Sequence, residues 1–344
     1  MYSLETIEHV DFELSSHCNS KCPQCPRYDV FGFEQKDLFK THLTLSTVKN
    51  IPTTLMPNLK NISFIGNFGD PLMNPHLDEI LDYFSKQEIL LSTNASLRNI
   101  DWWKDLGKRK NVTVTFCIDG LADTHEIYRR GTSFKKIIDN AKSFIASGGR
   151  AIWQLIVFKH NEHQINQIQK ISKDMGFEKV EAIYSDRFDV NDKFKVYDKG
   201  KYLYDLEKAS NQELLRERLK ADDGQKYWNE LNKNKGEISC IWSIKKHIYV
   251  HSDGMVYPCC WMASANSGRV IEKSLLKKLI GNFNTIDLKK NSLEKIISSD
   301  VFQQKLPNSF KGLPFSHPIC IETCNLNTGK IVNRDLNLVN SSND

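Results

Sequence analysis

The 344-residue sequence has no long apolar run. None approaches the roughly 18 residues that a membrane-spanning helix needs, and Leu155–Phe158 is only strand-sized. The opening residues, MYSLETIEHVDFE, carry acidic groups and lack the basic-then-apolar order of a secretory signal. Charge of one sign is not gathered anywhere. The net charge of +5 arises from 22 Lys+Arg against 22 Asp+Glu in residues 1–185 and 25 against 20 in 186–344, with a pI near 8.6. Nucleic-acid binders concentrate positive charge in stripes or exceed a pI of about 9, so the composition argues against that partner. Repeats are missing, as are low-complexity tracts beyond the polar end NLVNSSND. With 40% hydrophobic and 26% charged residues, the expectation is an ordinary cytoplasmic globular protein with no membrane partner.

Cysteine, in contrast, is plentiful: nine residues, at 18, 22, 25, 117, 240, 259, 260, 320 and 324. An odd number without a signal peptide does not read as a disulfide framework. Three lie together near the N-terminus, five in the last third, and Cys117 alone, a distribution that points to metal centres. Cys18, Cys22 and Cys25 form a CxxxCxxC loop after the first predicted strand. Three thiolates in eight residues can wrap one side of a metal. One reading is zinc, with His17 or a distant residue as fourth ligand. The other is a four-iron cluster with one iron left open, because a ferredoxin-type fourth cysteine is missing until Cys117.

Short β-rich runs alternate with amphipathic stretches from residue 9 to about 185. The predicted strands are His9–Leu14, Asn61–Ile65, Ile89–Ser92, Val112–Ile118, Ile152–Phe158 and Lys179–Tyr184. Helices are predicted between them over 46–55, 76–85, 101–108, 134–146 and 162–175, with Ser46 and Thr132 as N-caps and Gly148 and Gly176 after helix ends. The alternation predicts an α/β domain over 1–185, a parallel sheet that is either open or an incomplete (β/α)6 barrel. Its site belongs at the C-terminal ends of the strands. Residues 186–236 read as a charged connector with a helix around Glu207–Leu219. A second unit, 237–330, opens with a hairpin turning at Asp253-Gly254, and 331–344 reads as a flexible tail.

The loop SSHCNSKCPQCP at the mouth of a β/α array resembles the cluster-binding loop of radical S-adenosylmethionine (radical SAM) enzymes. Four further elements after successive strands extend the resemblance over roughly residues 9–185. GNFGDP, with Gly66, Gly69, Asp70 and Pro71, resembles the family's GGEP element, and implies that Asp70 receives the SAM amine. Ser92-Thr93-Asn94 stands where polar side chains reach the SAM ribose or carboxylate. Cys117-Ile118-Asp119-Gly120 resembles SIDG and gives Asp119 a contact to ribose or substrate. Tyr128-Arg129-Arg130-Gly131 offers either Arg129 or Arg130 as partner of the SAM carboxylate. Three positions depart from the family pattern. Gln24 replaces an aromatic residue, Asp70 replaces Glu, and Cys117 replaces a serine-like residue and reads as a buried small side chain.

The segment from Cys240 through Gly254 to Cys259 resembles the opening of SPASM and twitch domains, and HPICIETC adds Cys320 and Cys324. Five local cysteines suit a twitch-like domain with one auxiliary four-iron cluster on Cys240, Cys259, Cys320 and Cys324. Cys260 is the alternative to Cys259, although the Gly-x4-Cys spacing favours Cys259. Structural zinc on the same four cysteines is the rival.

The resemblance implies an enzyme that reductively cleaves SAM to a 5′-deoxyadenosyl radical and abstracts a substrate hydrogen. Its implied cofactors are one cluster with an open iron, SAM and one auxiliary cluster, and its implied electron donor is a flavodoxin or ferredoxin. An auxiliary cluster without an open iron suits two-electron oxidation of a hydroxylated small molecule, a sugar or cyclitol. The alternative within the class is a peptide maturase forming thioether or carbon–carbon crosslinks. The 17 residues before Cys18 leave no room for a leader-recognition domain, which argues against it. An iron–sulfur electron carrier or zinc scaffold without SAM chemistry is the reading from another class.

Overall fold

The computed structural model describes residues 2–210 apart from 186 and 190, residue 238, and residues 240–324 apart from 267–269 and 312–315. Six parallel strands form the N-terminal sheet: β1 (His9–Phe12), β2 (Asn61–Phe64), β3 (Glu88–Thr93), β4 (Val112–Cys117), β5 (Arg150–Val157) and β6 (Lys179–Tyr184). The connections carry α1 (Leu45–Val48), α2 (Leu77–Tyr83), α3 (Ile100–Gly107), α4 (His125–Tyr128), α5 (Phe134–Ala146) and α6 (Ile165–Met175). Parallel strands need such crossovers, and these pack against the sheet.

Alternation decides what each strand face does. Phe116 and Trp153 turn toward the helices and are fully buried. Phe116 lies 5.2 Å from Trp103 of α3, and 5.8 Å from both Phe144 of α5 and Phe177. On α5, Ile137, Ala141 and Phe144 recur at helical spacing and are all buried. Helices α3 and α5 approach so closely that a Cβ on Gly107 would stand 2.4 Å from the Phe144 carbonyl oxygen.

The N-caps differ from expectation by one or two residues. Thr44 caps α1 and Ser133 caps α5. Thr132 instead donates to the Arg129 carbonyl, at 2.6 Å, and bonds His125. Gly176 ends α6 in the left-handed conformation, as expected.

The expected connector is largely a β-hairpin in its described part: β7 (Lys193–Asp198) and β8 (Lys201–Glu207) pair antiparallel. Lys199 and Gly200 both have positive φ, 50° and 84°, the requirement of a tight two-residue hairpin turn. Glu207 closes β8 rather than opening a helix. Residues 208–210 are not helical either, and 211–219 of that predicted helix, with the 331–344 tail, lie outside the described residues.

The C-terminal unit does not stand apart. Its hairpin, β9 (His247–Val250) and β10 (Val256–Tyr257), joins the sheet, giving the order β10-β9-β1-β2-β3-β4-β5-β6. Strand β9 runs parallel to β1 in the register His9↔His247 to Phe12↔Val250. Without it β1 would expose an unpaired edge. Around this hairpin lie α7 (Ile241–Ile244), α8 (Cys260–Ala265), α9 (Val270–Ile280), α10 (Leu293–Ile297), α11 (Leu306–Ser309) and α12 (Pro318–Cys324). Among the described residues the sheet does not close, so it is a partial barrel with β6 and β10 at its edges. Among the described residues no helix is long and apolar enough to cross a membrane.

Phe116→Ala leaves a cavity among three aromatic rings, so urea unfolding of the metal-free chain is expected to show a loss of about 3–5 kcal/mol. A change near zero would contradict this account of the core.

Candidate functional site

The first group of cysteines lies beyond the C-terminal end of β1 and the second flanks the antiparallel hairpin β9–β10, with a buried polar seam reaching from the one toward the other. In the first group, Cys18, Cys22 and Cys25 are all free thiols. Their loop is held on several sides. The Lys21 amide donates to the Arg130 carbonyl at 2.7 Å, and buried Arg27 donates to the Cys18 carbonyl at 3.1 Å and to Glu34 at 3.0 Å. Gln24 explains its own departure from the family pattern. Its amide nitrogen donates to the Arg187 carbonyl at 2.6 Å, and its oxygen accepts from Ser185 at 2.7 Å, fastening the loop beyond β6.

Donors surround the sulfurs. Cys18 Sγ accepts from the Ser20 amide at 3.4 Å and from Asn94 Nδ2 at 3.6 Å. Cys22 Sγ lies 3.0 Å from Ser20 Oγ and 3.9 Å from Arg129 Nη1. Burial pushes the Cys18 thiol up to about 12 and the Cys25 thiol up to about 11, with nearby Asp70 and Cys22, respectively, raising them further. Such thiols ionise only when a metal supplies compensating charge. The donor set, three sulfurs ringed by N–H and O–H groups, fits an iron–sulfur cluster, whose sulfurs accept hydrogen bonds.

The glycine loop after β2 lies directly against this cysteine loop. A Cβ on Gly69 would meet the Ser15 carbonyl oxygen at 1.8 Å, and one on Gly66 would meet the Gly69 carbonyl oxygen at 1.8 Å. Both positions therefore require glycine. The Asp70 amide donates to the His17 carbonyl at 2.8 Å.

The Asp70 carboxylate is spent internally. It accepts from Leu72 N at 3.0 Å, Asn94 N at 2.8 Å and Thr93 Oγ1 at 2.8 and 2.9 Å. It caps the short turn beginning at buried Pro71 and ties it to the end of β3. This geometry does not fit the amine contact implied by resemblance, because no face of the carboxylate is open.

Asp119 is similarly engaged. One oxygen accepts from the Ile156 amide at 2.7 Å, and the other pairs with Arg129 Nε. Its amide donates to His125 Nδ1 at 3.1 Å, and burial takes His125 down to about 3, so the imidazole stays neutral. Arg129 thereby stands in the site beside Cys22 and Cys117, 14% exposed, and among the described residues Nη2 makes no hydrogen bond. A guanidinium with a free N–H edge can receive a carboxylate. Arg130 turns away to Asp198, at 2.8 Å, which separates the two arginines. Ser92 and Cys117 meet at 3.5 Å on adjacent strand ends, and Gln154 lies 3.7 Å from Cys117.

In the second group Cys240, Cys259 and Cys320 are buried and Cys324 is half-buried. Cys240 and Cys324 share a side-chain hydrogen bond that lowers the Cys240 thiol to about 7 and raises its partner. Burial raises Cys259, with Cys260, Cys320 and Cys240 adding to the effect, and burial together with Cys240 raises Cys320. These four thus lie within electrostatic range of one another. Cys260 opens α8 and acts electrostatically on Tyr249 as well as on Cys259. Among the described residues no three His, Cys, Asp or Glu side chains close tightly enough around a point to hold a single metal ion.

Sequence reasoning missed the seam between the groups. Glu13, fully buried just beyond β1, accepts from Phe68 N at 2.5 Å and Gly69 N at 3.2 Å. Its other oxygen accepts from Tyr249 OH at 2.9 Å and lies 3.3 Å from His251 Nε2. Burial alone would lower the His251 pKa, but the hydrogen bond to Asp253 and the charge of Glu13 raise it. Asn67 donates to Tyr249 OH, the Cys260 carbonyl and Ser264 Oγ, each at 3.2 Å. Glu13 falls in the polar phase of the alternation Val10, Phe12, Leu14, so the sequence carried no signal of its burial.

Because Asp70 serves the loop, Asp70→Ala is expected to lower the stability of the cofactor-free chain by about 1–3 kcal/mol, leaving buried donors unpaired. Chemical denaturation without SAM checks this. Unchanged stability together with weakened SAM binding would restore the amine-contact role.

The radical SAM superfamily model matches residues 12–170, and an iron–sulfur cluster-binding domain model, SPASM, matches residues 240–325. No curated protein matches the chain. Among solved structures, Streptococcus suis SuiB bound to precursor peptide SuiA superposes with a TM-score of 0.56 at 13% identity, covering 93% of this chain and 72% of SuiB. SuiB bound to S-adenosylmethionine gives 0.53 at 15% identity, covering 87% and 72%. His-tagged anSMEcpe with bound AdoMet gives 0.51 at 16% identity, covering 92% and 88%. At such identities the likeness establishes a shared fold. The two family matches, lying over the two cysteine groups, identify the chain as a member of the radical SAM superfamily with a C-terminal SPASM iron–sulfur domain.

Proposed function

We propose that Cys18, Cys22 and Cys25 hold a four-iron cluster with SAM on its open iron, that Cys240, Cys259, Cys320 and Cys324 hold an auxiliary four-iron cluster, and that the substrate is a peptide. When bound, the first cluster and SAM supply a radical that removes a substrate hydrogen atom. The chain's own residues do the remaining work. Arg129, fixed by Asp119, offers Nη2 to the SAM carboxylate. Exposed Gly66 offers open backbone, and Ser92, Cys117 and Gln154 supply polar edges where substrate meets the strand ends. Four protein ligands leave the auxiliary cluster no open iron, which favours electron transfer as its role.

The observation that carries the peptide reading is the open sheet. Among the described residues its edge strands are β6 and β10 and no strand closes it. Small-molecule sites are enclosed and bury most of the ligand, whereas an unclosed sheet leaves room for an extended chain. Two structures of this fold are themselves peptide complexes: SuiB with precursor peptide SuiA, and native anSMEcpe with AdoMet and Cp18Cys peptide, the latter at a TM-score of 0.51 and 15% identity over 86% of this chain and 81% of that one. These observations support the peptide alternative over a sugar or cyclitol.

The test uses reconstituted enzyme, SAM, dithionite and a size-filtered extract of the source cells. Extract is expected to raise 5′-deoxyadenosine formation on the order of tenfold, and treating it beforehand with a protease that is then removed should abolish the gain. A gain that survives the protease would overturn the peptide reading.

A further inference from the structure

We propose that the face built by the 28–40 loop and the β7–β8 hairpin docks an acidic protein that delivers single electrons to the centre held by Cys18, Cys22 and Cys25. The proposal rests on the cluster assignment made above.

Access comes first. Cys22 lines a surface pocket together with Lys21, Arg130, Phe194, Lys195 and Tyr197, so one residue of the triplet underlies this face. The other side of the hairpin closes on the same loop: Val196 and Leu206 are buried with Cys22, Tyr128 and Phe158. The face is also rigid. A Cβ on Gly32 would meet the Tyr197 carbonyl oxygen at 2.3 Å, the Gly200 amide donates to the Phe31 carbonyl at 2.8 Å, and Arg130 pairs with Asp198 at 2.8 Å. A donor seated here would meet a surface that needs no rearrangement.

Charge then selects the partner. The acidic groups of this face are largely engaged: Asp198 pairs with Arg130, Glu34 with Arg27 and Lys40, and Asp37 with Lys273, while Asp205 and Glu207 share Lys193 and Asp29 accepts from the Phe31 and Phe33 amides. Among the described residues Lys21, Lys195, Lys199 and Lys201 are exposed and make no ion pair. These four lysines outnumber the uncompensated carboxylates, so the rim of the pocket over Cys22 is net cationic. Within this cationic rim lie exposed apolar side chains, including Phe31 at 54%, Phe33 at 48% and Tyr202 at 49%. An apolar centre ringed by one sign of charge suits a small, short-lived electron-transfer contact, in which charge speeds encounter and area stays low. In the step itself the donor's reduced flavin or iron–sulfur group is oxidised by one electron and the centre is reduced by one. No bond forms or breaks.

The experiment compares the reconstituted full chain with its Lys195→Glu/Lys201→Glu variant. Binding of a strongly acidic flavodoxin is measured by flavin fluorescence, and reduction of the centre is followed by stopped flow with reduced flavodoxin or with dithionite. At about 50 mM salt the variant is expected to bind flavodoxin and accept its electrons on the order of tenfold less well, and to lose most of the salt dependence seen up to about 300 mM. Its dithionite reduction should match the original chain. Unchanged flavodoxin binding and rate would overturn the proposal. So would an unchanged flavodoxin rate with a raised KM for peptide in dithionite-driven turnover, which would make this a substrate surface. If the variant loses its centre, Lys195→Gln/Lys201→Gln decides by the same two readings. Failure of the original chain to cleave SAM with dithionite would count against the cluster assignment alone, since flavodoxin binding reads the surface separately.

Discussion

Everything at the active end of this protein depends on one buried carboxylate, Glu13. It sits where β1 gives way to the cysteine loop, and a charge in that position is tolerable only if its oxygens are filled. They are filled from two directions: by the amides of Phe68 and Gly69, and by Tyr249 and His251 of the C-terminal hairpin. The same group thus shapes the glycine loop and clamps the SPASM unit onto the barrel. Because β9 also pairs directly with β1, the strand preceding the first cysteine group and the one leading toward Cys259 and Cys260 share a backbone ladder. The two groups are parts of one continuous sheet rather than domains on a tether.

The carboxylates closer to the first cysteine group follow the same logic. Asp70 and Asp119 are both buried, and both face inward on protein donors. Their effect is positional. Asp70 pins the glycine loop to β3, and Asp119, steadied through its amide by neutral His125, presents Arg129. Arg129 is left as the charged group with an unfilled edge. Positioning of this kind keeps a site in place before any ligand arrives.

Much of this was legible in the sequence because its signals are local. CxxxCxxC places three sulfurs within one loop, Asp253-Gly254 sets a hairpin, and alternating apolar runs mark each of the six strands. The unread parts depend on distance or direction. Glu13 meets Phe68 across 55 residues and Tyr249 across 236, separations that no periodicity reports. Arg129 and Arg130 are adjacent, and only the fold decides which one turns inward. Asp70 carries the acidic group that the resemblance asks for, though as Asp in place of Glu, yet its neighbours Leu72 and Asn94 claim its oxygens. The β7–β8 hairpin did carry a signal, Lys199-Gly200 between alternating runs. Its dense charge masked that signal by resembling a solvated linker.

The central claim is that the seven cysteines form two separate ligand sets, three and four, built into one sheet. The most direct measurement is iron and acid-labile sulfide per chain after anaerobic reconstitution, for the original protein and for a Cys240→Ala/Cys324→Ala variant. The account predicts about eight irons in the first and about four in the second, with the remaining cluster still bound by the N-terminal triplet. A reproducible value near four irons with one zinc in the original protein, unchanged by a chelator that spares iron–sulfur clusters, would contradict it.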